Sequence, residues 1–110
     1  MLEVTGNDIS LTRGDTAELT LKIHNTYDDQ EYEPSINDST ILTIRDDVYS
    51  DEPVIQKIVH GLPLFEFVPS DTKHLDYKRY VYDIEIQTKD GEVYTVIPCA
   101  TFRILKEVTI

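Results

Sequence analysis

The chain has 110 residues and carries 21 acidic against 10 basic side chains, a net charge of −11. That length suits a single domain spanning residues 1–110, large enough to bury about two thirds of the surface its unfolded form exposes and so to fold on one core. The acidic balance argues against nucleic acid, whose binding rests on neutralising phosphates with Lys and Arg, and against anionic membranes on the same ground.

The opening Thr5-Gly6-Asn7-Asp8 reads as a turn, followed by a short strand over Ile9-Ser10-Leu11. Arg13-Gly14-Asp15 is next. It spells a tripeptide that integrins recognise, but between two strands it is read as a tight turn, with Gly supplying backbone freedom and Asp a local hydrogen bond. From Thr16 to His24 the residues alternate, with Ala17, Leu19, Leu21 and Ile23 on the inward face, as in a half-buried strand. Asn25 to Ser39 is polar and acidic, with room for a short edge strand near Glu31 before Pro34 stops it. Thr40 to Arg45 is the next strand, Asp46 to Pro53 an acidic loop, and Val54 to Val59 a weaker strand. His60-Gly61 turns the chain into Leu62 to Val68.

The stretch Leu64 to Ile86 carries most of the architectural information. An apolar run ends at Pro69, a single helical turn covers Ser70 to Leu75, and a long alternation follows. In it Tyr80, Tyr82, Ile84 and Ile86 share one face, while Val81, Asp83 and Glu85 share the other. This predicts two strands from different sheets joined by a corner. Tyr80 is placed to act as a tyrosine corner, its hydroxyl reaching back to the preceding turn. Lys89-Asp90-Gly91-Glu92 is a hairpin signal of the Asp-Gly kind that suits primed two-residue turns. Val93 to Leu105 is the last strand; Pro98 inside it predicts an edge position or a bulge, where no N–H is needed. Cys99, the only cysteine, lies in the apolar run Val96 to Ala100 and is expected to be a small buried core residue. Seven to eight strands separated by turns predict an all-β chain, an immunoglobulin-like antiparallel β-sandwich.

The residues give little chemistry. His24, His60 and His74 lie far apart with no second ligand at metal spacing. The acidic clusters Asp28 to Glu33 and Asp46 to Glu52 lack the spaced oxygens and glycine bend of a calcium loop, and read as solvated loops. There is no nucleophile elbow and no phosphate-cradling glycine loop. No catalytic, metal or cofactor site is therefore expected, and no binding residue is singled out. With neither a signal sequence nor an apolar span, folding in a reducing cytoplasm is the expectation.

Ile9 to Ala17, with Arg13-Gly14-Asp15 at its centre, resembles the opening of small structural proteins of phages and prophages of Gram-positive bacteria. Val68-Pro69-Ser70-Asp71-Thr72, then Leu75, then Tyr80 to Ile84 resembles their middle; Asp90 to Val96, Thr101 to Ile104 and Val108-Thr109 resemble their end. The chain is similar to the immunoglobulin-like N-terminal domain of phage baseplate upper proteins, although Lys78 stands where that family usually has glycine. The resemblance implies a non-enzymatic tail or baseplate component that assembles in the host cytoplasm, enters the virion, and contacts tail proteins or copies of itself. The alternative is host-surface carbohydrate recognition, with Tyr27, Tyr32 and Tyr49 as stacking platforms.

Overall fold

The computed structural model describes residues 1–24 and 30–107. Ten strands and one short helix run in the order β1 (Leu2–Thr5), β2 (Asp8–Thr12), β3 (Ala17–Thr20), β4 (Ile23–His24), β5 (Glu31–Tyr32), β6 (Ser39–Arg45), β7 (Pro53–His60), β8 (Leu64–Phe67), α1 (Pro69–Thr72), β9 (Arg79–Gln87) and β10 (Val93–Leu105). The all-β class is as expected. A six-stranded sheet has the order β1-β2-β10-β9-β6-β7, and two-stranded ladders join β3 to β8 and β4 to β5. Every pair is antiparallel except β2 with β10, which run parallel from Ile9↔Phe102 to Thr12↔Leu105.

Ten strands exceed the seven to eight expected, for two reasons. The alternation from Thr16 to His24 divides into β3 and β4, because the chain follows β8 only as far as the Leu21 N–H, which donates to the Pro63 carbonyl at 3.0 Å, and then changes partner to β5. The first residues form β1, folded onto β2 by the two-residue turn Gly6-Asn7, with Gly6 at φ +60°. The Asp-Gly hairpin also differs from expectation. Thr88 N–H donates to Glu92 and Gly91 N–H to Thr88, so three residues turn the chain, with Gly91 at φ +85°; this is the three-residue alternative to a primed turn.

The core lies between the β3–β8 pair and the six-stranded sheet. Leu19, Phe65 and Phe67 meet Ile9, Leu11, Leu42, Ile44, Tyr80, Tyr82, Ile84, Phe102 and Ile104 there. Phe102 stands between Phe67, 5.8 Å away by ring centroid, and Tyr82, edge-on at 6.2 Å. Leu21 packs only partly buried against this cluster. β8 and β9 belong to different ladders, as the corner between them required. The corner closes on Tyr80: its hydroxyl accepts the Asp76 N–H at 3.0 Å and donates to the Asp76 carbonyl at 3.3 Å. Lys78 is accommodated in that corner, its ammonium bonded to Asp46 and 4.9 Å above the Tyr80 ring.

The last strand is not an edge strand over its whole length. Phe102 and Arg103 are central, with β2 on one side and β9 on the other, while Ile104 and Leu105 pair with β2 beyond the start of β9. From Val93 to Ala100 only β9 is bonded to it, and Pro98 falls in that half. The ladder slips between Thr95 and Ile97 and again between Ile97 and Ala100. Each slip adds one residue to β10 and reverses which side chains point inward. Counting from Ile97, alternation would turn Cys99 toward the core; the second slip turns it out, and Cys99 is exposed. The expectation of a buried thiol is corrected by that bulge.

Candidate functional site

The Arg13-Gly14-Asp15 turn is occupied by contacts within the chain. Gly14, at φ +81°, donates its N–H to Thr72 Oγ1 at 2.8 Å, and Asp15 bonds the amino group of Met1. The Arg13 guanidinium lies 4.0 Å above the Tyr77 ring, donates to Glu107 at 2.9 Å and reaches the Leu75 carbonyl at 3.3 Å. The hydrogen bond to Glu107 raises the pKa of Arg13, and the same bond from Arg13 holds the Glu107 carboxyl below its ordinary range. The tripeptide works as a turn that fastens α1 and the end of β10 to the start of the chain.

The other side chains considered from sequence are dispersed. His24 is on β4, His60 ends β7 beside Ser39 Oγ at 3.2 Å, and His74 is exposed after α1. Among the described residues, no group of three or more His, Cys, Asp and Glu is placed to hold a metal ion. Tyr27, Asp28 and Asp29 lie outside the described residues, as do Val108 and Thr109. Tyr32 donates its hydroxyl to Asp38 at 2.8 Å, just before β6 begins, whereas Tyr49 follows the end of β6 and is 90% exposed. A seven-residue strand separates the two, which is about 20 Å at the usual rise. They do not converge. Asp38 is held below its ordinary pKa first by the Ser35 N–H and then by Tyr32, so this acidic residue latches a turn.

Two surfaces remain. The first is the set of strand edges. Within the six-stranded sheet, β1 and the eight-residue β7 have a strand on one side only among the described residues, as does the first half of β10. Such edges offer unpaired backbone groups to another chain. The β10 edge is interrupted by Pro98 and two bulges, and β1 is short. β7 is regular from Ile55 to His60 and presents Ile58, 54% exposed, on its outer face. Lys57 points inward, where it donates to Asp71 at 2.7 Å above the Phe67 ring. Desolvation opposes the Asp71 charge, but Lys57 and the Val68 N–H outweigh it and keep its pKa low.

The second surface is an open cavity of about 390 Å³ between the Asp46–Glu52 loop and the β10 bulge. Arg45, Val81 and Asp83 form its floor, with Ser50, Asp51 and Cys99 around it. Arg45 donates to Asp83 at 2.6 Å. These positions were not legible from sequence, because Cys99 reaches the cavity only through the bulge. No family model, curated protein or solved structure matches the chain.

Proposed function

We propose that this chain is a non-enzymatic structural or assembly protein of a phage or prophage tail or baseplate, acting through protein–protein contacts. The observation that carries this reading is β7, an eight-residue strand with an open outer edge and an exposed isoleucine. Strand addition at such an edge supplies main-chain hydrogen bonds for affinity and side-chain pockets for specificity.

An immunoglobulin-like assignment is supported by the pairing of β3 with β8, by the order β10-β9-β6-β7 in the facing sheet, and by the tyrosine corner at the start of β9. The resemblance of Ile9 to Ala17, Val68 to Ile84 and Asp90 to Ile104 to phage structural proteins supports the setting. Partners are tail or baseplate proteins, or further copies of the chain; assembly takes place in the host cytoplasm and the protein ends in the virion. It uses no cofactor.

Mass spectrometry of purified particles tests the assignment. The chain is expected at a fixed ratio to tail proteins; absence from particles, with retention of host polysaccharide by the isolated protein, contradicts it and favours carbohydrate recognition.

A further inference from the structure

Of the four arginines in the sequence, Arg13 and Arg45 are paired with carboxylates. Arg79 and Arg103 are not, although acidic residues outnumber basic ones 21 to 10. They stand directly opposite each other on β9 and β10, both exposed on the outer face, because Tyr80, Phe102 and Ile104 take the inner one. Neither guanidinium makes a hydrogen bond or ion pair with any described residue. Like charges directly opposite in a ladder oppose folding. In so acidic a chain, a carboxylate at either neighbouring position would have relieved this.

The surroundings fit an anion. Ser10, opposite Arg103 on β2, adds a hydroxyl to the same face, and Glu3, one strand further on β1, bonds neither arginine. Side chains directly opposite start about 5 Å apart at Cβ, so two guanidinium forks can close on one oxyanion from both sides, each by paired N–H donors. Val81, two residues along β9 from Arg79 and opposite Thr101, is part of the cavity floor. The arginine pair thus borders a space lined by Ser50, Asp51, Arg45 and Asp83 that accepts hydrogen-bonding groups.

We propose that Arg79 and Arg103 hold the phosphate or carboxylate group of a ligand whose uncharged, hydrogen-bonding remainder lies over Val81 in the adjoining cavity. The inference is independent of the assembly role at β7.

Backbone amide NMR with phosphate, against chloride at equal ionic strength, tests it. Saturable shifts are expected at Ser10, Arg79, Val81, Thr101 and Arg103, weakened at least tenfold in the double variant Arg79→Gln, Arg103→Gln. Two further probes identify the source of the anion: glucose 6-phosphate stands for a small anionic ligand and blocked N-acetylglutamate methylamide for a partner's side chain. Binding of the former at least tenfold tighter than phosphate, or of the latter at least tenfold tighter than acetate, supports the cavity's share, and the tighter probe names the source. If neither does so, the cavity's share is overturned. Shifts that do not saturate, that chloride reproduces, or that persist in the double variant overturn the site. Thermal unfolding gives a second reading: each single variant is expected to melt at the same temperature as the parent or higher, and a fall of several degrees in both would make the pair structural and overturn the proposal.

Discussion

Tyr80 shows how one hydroxyl fixes the relation between two sheets. It accepts from the Asp76 N–H and donates to the Asp76 carbonyl, so the corner before β9 has both main-chain groups satisfied by one side chain. Tyr80→Phe keeps the ring and strands both groups; equilibrium urea unfolding should show a loss of about 1–3 kcal/mol. A loss near zero would mean that water replaces the hydroxyl freely. Tyr82 is buried further along the same face, donates to the Asn7 carbonyl at 2.6 Å, and burial pushes its pKa from 10.0 up to about 12. A phenol with a raised folded-state pKa keeps its proton while the unfolded chain has lost it. Its contribution is therefore fully present below about pH 10 and falls by roughly 2–3 kcal/mol as pH rises toward 12. Denaturant unfolding at pH 9, 10 and 11 should show that decline, and Tyr82→Phe should make it shallower; an unchanged slope would assign it to other groups. Cys99 gives the simplest test at this scale. Turned outward by the bulge, it should react with a thiol reagent in the native protein within about tenfold of its rate in the unfolded chain, since exposure and thiolate fraction govern that rate. Strong native protection would return it to the core.

Among the elements, β10 differs most between its two halves. Phe102 and Arg103 lie between two neighbours, and Phe102 and Ile104 are in the core, whereas Val93 to Ala100 have one neighbour and two bulges. Hydrogen exchange should be slowest in β6, β9 and residues 101–104, and distinctly faster from Val93 to Cys99, since local opening follows packing and ladder bonding. Uniform protection along β10 would contradict this division. The same strand marks what a sequence can disclose. Proline in a strand says correctly that an N–H is not needed there, and Pro98 indeed has no second neighbour. It does not say how far β2 extends, because that pairing joins residues more than 90 positions apart. Parity is similarly hidden: an inserted residue reverses inside and outside without changing the apolar run in which Cys99 lies. By contrast, the alternation from Tyr80 to Ile86 and the inward position of Leu19 were legible, because burial on one face imposes a period of two. β1 was missed since its four residues are mostly exposed and show no apolar alternation. The unpaired arginines were individually ordinary; only the register of β9 against β10 brings them together.

The whole molecule measures 47 × 29 × 22 Å, with β7 along one edge of the six-stranded sheet and β1 along the other. A net charge of −11 opposes contact between copies at low salt, and screening relieves that repulsion over about 8–10 Å. Self-association through β7 should therefore strengthen as salt rises, while a basic partner should bind less tightly. Lys57, the charge on β7, is turned inward and paired with Asp71, which leaves the outer face of the strand apolar at Ile58. A lysine at that exposed position would act as the charged guard that edge strands commonly carry, and should leave the fold intact. The most direct test of the proposed assembly role is co-purification of the tagged protein and its Ile58→Lys variant from cells producing phage particles, with light scattering of each protein alone across a salt series. The account predicts that the parent protein recovers a tail component or forms a salt-strengthened oligomer, and that Ile58→Lys loses both while melting within a few degrees of the parent. A parent protein that stays monomeric at every salt and recovers no tail component, or a variant that associates as well as the parent, would contradict it.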